Sequence, residues 1–531
     1  MAGCDMCYSH AEGQFARLDY VMEKAIPIAA EQNPPVHVVH STPACYVQAL
    51  HEASKTWPRF SDDLLPYSDE PGRTWTGFYT TRPNLKMMIR YANGFLQACK
   101  QLSLYGLQDA SERARQLGEA VATVQHHDGV TGTCSYAADL DYTNRMNAGI
   151  EQCEGVISAS LASLLNLGAS DAGANEHQLH FCHRLNMSEC QHTETQREFT
   201  VIVYNPASVV VSPYVRLPLG TSDRSGITVS GPDGARTDSQ VLPLASHGHG
   251  IPESKSQART SLVFRANVEP LGASLYSVQY EAPVETPTSE SYFLKPDVQS
   301  SFIENERYRV ELNPQTGLVS AVVLKGPGSA VHLRQAFAAY LTDPEGLAGK
   351  GHRPGHYTFS GYSDAREIGT PKISVVKGHL VQEIHQSFTG YISQVITLHK
   401  DSPFIEFTWT VGPLTQLMRD MGRDKVTGCD VISKFESDLQ SDGFYTDNNG
   451  WRNMHRTLTF QDGNLPIPGN YHPVVSWIYI EDRAKDLQMM ILPDRTQGGT
   501  SMRHGHLELM QQQQPKSVTI HVCRKVTPAA K

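Results

Sequence analysis

A chain of 531 residues is too long for a single hydrophobic core and should hold roughly two to four domains. Hydrophobic content of 40% and charged content of 19% are those of a globular protein, and no run approaches the about 18 consecutive apolar residues of a membrane-spanning helix. A formal net charge of −10, with no Lys/Arg run against it, argues against a nucleic-acid partner.

Met1-Ala2-Gly3-Cys4-Asp5 opens into polar sequence with neither the basic nor the apolar region of a signal peptide. Residues 1–56 read as helix, strand, helix. Phe15, Leu18, Val21, Met22 and Ile26 recur at helical spacing within Ala11–Glu31, and Pro27 is placed to end or kink that helix. Val36–Val39 reads as a short strand and Ala44–Ser54 as a second helix. Such an order cannot bury both faces of one strand, so it reads as the tail of a larger α/β barrel.

Residues 57–170 read as a long loop and three helices. The loop, Trp57–Pro83, is dense in aromatics, which argues against disorder. One helix starts near Pro83 and presents Leu85, Met88, Ala92, Phe95, Cys99 and Leu102. The next spans about Ser111–His127. The third, about Ala138–Leu167, presents Met146, Ile150, Cys153, Ile157, Leu161 and Leu164. Three amphipathic helices with short connections make a bundle. Cys99 and Cys153 fall on its buried faces, either as a disulfide or as two buried thiols.

The second of these helices runs into Gln125-His126-His127-Asp128-Gly129-Val130-Thr131-Gly132-Thr133. Two imidazoles and a carboxylate suit metal binding or acid/base chemistry. Neighbours on a helix point about 100° apart, so His126 and His127 would not serve one ion equally. Continuing the apolar face of Leu117, Val121 and Val124 lands on His127 and Asp128. A buried core histidine is therefore the plainer alternative to a ligand.

Residues 171–285 read as a linker and a first β-sandwich module, and 296–531 as a larger β-sandwich domain. Cys182 and Cys190 bracket a loop that a disulfide could close, and the loop contains the glycosylation acceptor Asn186-Met187-Ser188. Together these favour a secretory or lysosomal route. Alternating strands follow at Phe199–Tyr204, Leu275–Tyr280, Tyr308–Leu312, Ile405–Val411 and Trp477–Ile480. Asn313–Gly317 is a turn, Pro283–Lys295 a break between modules, and Gln511–Gln514 a frayed tail. The fold class is multidomain α+β: a partial α/β barrel tail, a three-helix bundle, then antiparallel β-sandwich domains.

Laid out in this way, the chain resembles the family-38 glycoside hydrolases, the zinc α-mannosidases, and among them the lysosomal, acidic branch. The resemblance rests on Ser41-Thr42-Pro43-Ala44-Cys45-Tyr46, Tyr67-Ser68-Asp69, Trp75-Thr76-Gly77-Phe78-Tyr79-Thr80-Thr81-Arg82-Pro83 and Gln125-His126-His127-Asp128. Val203-Tyr204-Asn205-Pro206, Tyr445–Gly450, Gly469-Asn470-Tyr471-His472-Pro473 and Asp494–Gly499 extend it through the β-region. It implies a site where barrel, bundle and β-domains meet. His127 would be a Zn2+ ligand, with His126 and Asp128 beside the substrate. Asp5 would be the general acid/base, Asp69 a carboxylate at the sugar site and Trp75 an aromatic platform. Tyr471 or His472 would be the substrate-facing residue of the β-region. The resemblance also pairs Cys99 with Cys153 and Cys182 with Cys190. A mannose-bearing oligosaccharide is the implied partner, the compartment lysosomal or another secretory or vacuolar one, and homo-oligomerisation is left open.

Read as residues alone, Asp5 could cap a helix and Asp69 a turn. The family's His-x-His-x-Asp stretch and its Trp-Gln-x-Asp-Pro-Phe-Gly-His segment, which carry the other zinc ligands and the nucleophile, do not occur here. They are expected upstream of Met1, so the chain is expected to be a truncated, inactive piece of a retaining, zinc-dependent enzyme acting on terminal α-mannosides of N-linked glycans. A glycan-binding protein without catalysis, or an inert β-rich one, is the alternative.

Overall fold

The computed structural model describes residues 8–70, 73–167, 179–220, 226–244, 256–280, 301–326, 328–341, 355–359, 361, 364–412, 428–457, 467–515 and 522–524. The chain divides into two units, Met1–Asp63 and Leu64–Lys531. In the first, α1 (Ala11–Ala30) passes through Pro27 rather than ending there. Its companion α2 (Pro43–Glu52) starts on a proline, with the Thr42 hydroxyl accepting from Cys45 N–H at 3.3 Å. Val36–Val39 is not a strand. The Val36 N–H donates instead to Ala29 O at 2.9 Å, and a lone extended segment has no ladder to join. Neither helix has a buried residue.

The second unit opens with an ordered loop. Ser68–Glu70 and Arg73–Thr74 pair as a short hairpin, and Gly77–Tyr79 makes a single 3-10 turn. Three helices follow: α3 (Pro83–Leu102), α4 (Ala110–Thr123) and α5 (Tyr136–Leu164). They bury one core around Leu85, Leu96, Leu117, Val124, Met146 and Val156. Cys99 and Cys153 join α3 to α5 through a disulfide with S–S 2.09 Å. Gly149 lets α5 approach α4, since a Cβ there would lie 2.7 Å from Leu117 Cα. The second helix stops four residues short of the expected His127. Its end tightens into i→i−3 bonds, Gln125 N–H to Ala122 O (3.1 Å) and His126 N–H to Thr123 O (3.2 Å).

The rest is antiparallel sheet, making the protein mixed α+β and β-rich. A four-stranded sheet containing Glu198–Tyr204 and Ala273–Tyr280 faces a three-stranded one containing Tyr214–Leu219 and Thr260–Arg265 across a core of Val229, Leu262, Phe264 and Val278. Downstream, a nine-stranded sheet built around Ser329–Leu341, Gly428–Ser437 and His506–Pro515 packs on a five-stranded sheet built around Val381–Thr389 and Ile392–His399. Gln511–Gln514 is no frayed tail. It continues the strand that pairs with Gly428–Ser437, with Asp430 opposite Gln513. Pairing from a partner strand overrides what a polar run suggests. The expected break at Pro283–Lys295 lies outside the described residues.

Candidate active site

The His126–Thr133 segment is a compact turn between α4 and α5. Gly129 N–H donates to His126 O (2.7 Å), Gly132 N–H to Gly129 O (2.8 Å) and Cys134 N–H to Asp128 O (3.0 Å), while the Thr131 hydroxyl donates to His127 O. Gly132 has φ +79°, and a Cβ there would lie 2.6 Å from Thr81 O. Two buried cations at the start of α3 hold the turn from below. Arg82 donates to Gly132 O (3.0 Å) and Cys134 O (2.6 Å) and pairs with Asp139 at 3.2 Å. Lys86 Nζ donates to Thr81 O (2.7 Å), Val130 O (3.0 Å) and Thr131 O (2.7 Å).

This arrangement revises the expected histidine geometry. His126 and His127 lie beyond the helix and are exposed, so neither is a core residue. Their ring centroids are 4.3 Å apart, tilted by 46°, and His126 Nε2 is 3.5 Å from Asp128 Oδ2. Donor atoms of His126, His127 and Asp128 all fall within 4.8 Å of one another. On a turn, adjacent side chains converge where a helix would spread them.

Asp128 is the best-held group of the three. Its Oδ1 accepts from the Thr133 hydroxyl (2.6 Å) and the Tyr357 hydroxyl (3.1 Å). The Thr133 hydrogen bond, then that of Tyr357, keeps its carboxyl below the usual carboxylate range. Tyr357 also leans on Trp75, with centroids 4.9 Å apart and planes at 53°, and Tyr67 meets Trp75 edge-on at 5.2 Å. The backbone locks this wall: Tyr357 O accepts from Gly77 N–H (3.1 Å) and Phe78 N–H (3.3 Å), and His356 O accepts from the Thr81 hydroxyl (2.8 Å).

Asp69 lies on the hairpin that leads to Trp75, with Arg73 Nε donating to its Oδ1 at 2.7 Å. That partner, with a smaller pull from the Trp75 indole, holds its carboxyl down at about 2. A group with a depressed folded pKa adds stability above the unfolded value near 4 and loses it as pH falls through the folded one. An NMR titration should therefore show Asp69 ionised throughout the pH 4–5 range with a midpoint near 2. A midpoint near 4 would show that Arg73 does not hold it.

Tyr471 is 0% exposed, with its hydroxyl on Glu508 at 2.5 Å and its ring 5.1 Å from Phe359, so it presents nothing to solvent. His472 is half-buried on the strand His472–Val474, its ring 5.8 Å from Phe444. Cys182 and Cys190 form the second disulfide, S–S 1.95 Å, and Asn186 is half-buried in a 3-10 turn inside that loop. Asp5 lies outside the described residues. Tyr357 is the residue that sequence reasoning missed. It sits in Gly355-His356-Tyr357-Thr358-Phe359, which has no motif spacing to mark it.

Aromatic faces set beside fixed carboxylates are what a sugar ring requires, with the ring's C–H side on the aromatic and its hydroxyls on the acids. The model of the glycosyl hydrolases family 38 C-terminal domain matches residues 303–517, and that of the alpha mannosidase middle domain matches residues 73–164. The chain is similar to the lysosomal alpha-mannosidase of Cavia porcellus, with 36% identity over 533 residues, covering 96% of this chain and 49% of that protein. The similarity to the lysosomal alpha-mannosidase of Homo sapiens is 35% over 532 residues, with the same coverage of 96% and 49%. A solved alpha-mannosidase from Enterococcus faecalis V583 shares the fold, with a TM-score of 0.58 and 13% identity over 92% of this chain and 57% of that one. The chain therefore carries the C-terminal domain of glycosyl hydrolase family 38 and the alpha mannosidase middle domain. It spans about half the length of the curated relatives it matches. Among the described residues no helix is long and apolar enough to cross a membrane.

Proposed function

We propose that the protein serves retaining hydrolysis of terminal α-mannosides on N-linked glycans, and that this chain supplies one wall of the site. The observation that carries the reading is Tyr357, whose hydroxyl fixes Asp128 while its ring packs on Trp75. One residue thereby joins an apolar platform to a hydroxyl-binding carboxylate. In this reading Trp75 receives the C–H face of the mannose ring, and Asp128 and His126 accept or donate to its hydroxyls. Asp69, kept ionised by Arg73, stabilises positive charge developing on the ring in acid. Asp5 takes the general acid/base role by resemblance, and a retaining reaction needs a second carboxyl about 5–5.5 Å from it.

Two imidazoles and a carboxylate with converging donor atoms are a chemically suitable donor set for zinc, with His127 the principal contact. Bound there, zinc would supply Lewis acidity toward sugar hydroxyls. Asp128 already spends Oδ1 on Thr133 and Tyr357, which leaves Oδ2 for any further partner. The names of the relatives, two disulfides and the Asn186 acceptor support a lysosomal or other secretory compartment and a glycan on Asn186.

The test is an aryl α-mannoside assay with zinc measured on the 531-residue chain. The sequence contains neither the His-x-His-x-Asp stretch nor the nucleophile segment, so no turnover and substoichiometric zinc are expected. Robust zinc-dependent turnover would show that other residues of this chain fill both roles.

A further inference from the structure

A hairpin that the proposed site does not use carries a bare indole. Gly443–Asn448 pairs with Arg452–Thr457, and Trp451 at the tip is 83% exposed, more than any other large apolar side chain among the described residues. An indole in water forgoes the stabilisation that burial of so large a surface gives. The tip is also rigid. Asp447 is 1% exposed, and its Oδ1 accepts from the N–H groups of Val475 (2.8 Å), Ser476 (3.0 Å) and Trp477 (3.4 Å). Its Oδ2 accepts from Gly450 N–H at 2.6 Å. Asn449 and Gly450 take two successive left-handed positions, φ +52° and +69°, and Trp451 N–H donates back to Asn448 O at 3.0 Å. The indole is therefore held on a fixed base.

Its surroundings restrict the ligand. Asn449, Gly450 and Arg452 are exposed around it, so the indole is not the centre of a contiguous apolar patch of the kind that docks proteins. The one carboxylate of the tip, Asp447, has both oxygens turned inward onto backbone N–H groups. Asn453, two residues along, accepts from Trp477 Nε1–H at 2.6 Å through Oδ1, which leaves its –NH2 as the donor of that amide. An exposed indole followed in sequence by an exposed guanidinium and an exposed amide, with the tip's one carboxylate turned inward, suits a neutral polyhydroxylated ligand.

We propose that this tip is a second carbohydrate contact: Trp451 packs on the C–H face of a sugar residue other than the one at Asp128, and Asn453 and Arg452 donate to its hydroxyls. The proposal rests on the mannoside reading above, since it takes the ligand to be another arm of the same branched glycan. Wild type, Trp451→Ala and Trp75→Ala are titrated with a branched mannose oligosaccharide and with methyl α-mannoside, following the indole N–H resonances by NMR. Trp451→Ala should weaken the oligosaccharide about tenfold and leave methyl α-mannoside unchanged. The Trp451 N–H resonance should move with the oligosaccharide. Unchanged oligosaccharide affinity in Trp451→Ala, or no oligosaccharide binding by wild type, overturns the proposal. So does a loss of self-association in that variant by sedimentation, which would make the indole a contact between copies. The cleft is read separately: methyl α-mannoside binding that survives Trp75→Ala counts against the proposed site and leaves the Trp451 result standing.

Discussion

Lys86→Met should loosen the His126–Thr133 turn by about 3 kcal/mol, making its amides exchange with solvent roughly a hundredfold faster. Methionine matches the length of the lysine and keeps its apolar contacts, so the change removes donors rather than volume. Three carbonyls, of Thr81, Val130 and Thr131, lose their partner in a place where Lys86 is only 5% exposed. Each orphaned buried acceptor costs about 1–3 kcal/mol. Part of that is recovered, because burial first and Arg82 second push the Lys86 ammonium down to about 7, and methionine is spared that penalty. The remainder should fall on Gly129, Gly132 and Cys134, whose N–H groups close the turn, and spare the middle of α3. Hydrogen exchange resolved by residue checks this. Turn amides as protected as in wild type would show that Arg82 alone holds the segment.

Replacing both Cys99 and Cys153 by alanine should cost the bundle about 4 kcal/mol, the chain-entropy value for a closed loop of this size. The sequence separation is 54 residues, and both sulfurs are fully buried between α3 and α5. Cys182 and Cys190 close only 8 residues, so their removal should cost less. Urea unfolding with helical signal as the probe distinguishes the two. Equal shifts from the two pairs would mean that packing around α3 and α5, rather than the cross-link, sets bundle stability.

Local periodicity made much of this architecture legible. α3 and α5 declared themselves by apolar spacing, because each buries one stripe against the same core. Tyr308–Leu312 matched its expected strand residue for residue, since alternation reports a sheet with one buried face. What failed depended on partners distant in sequence. Val36–Val39 has strand composition but no ladder, while the polar Gln511–Gln514 run is a strand because Gly428–Ser437 lies beside it.

The candidate site divides along the same line. His126, His127 and Asp128 were visible as chemistry, and their exposure and convergence were not, because α4 ends where Arg82 and Lys86 seize the following carbonyls. Trp75 stands beside Tyr357 through backbone bonds between Gly77 or Phe78 and a segment about 280 residues away. No local pattern encodes such a contact. Of the two β-region candidates, Tyr471 is sealed against Glu508 and Phe359 and His472 is half-buried, while the hydroxyl on Asp128 is that of Tyr357.

If Trp75, Asp128 and Tyr357 form a mannoside-binding wall, a titration of the chain with methyl α-mannoside followed by NMR will show it. Resonances of Trp75 and Tyr357 should move together, and Tyr357→Phe, which removes one hydrogen bond to Asp128, should weaken binding by about fivefold. Shifts confined to other residues, or an affinity untouched by Tyr357→Phe, would show that the mannoside does not bind at this wall.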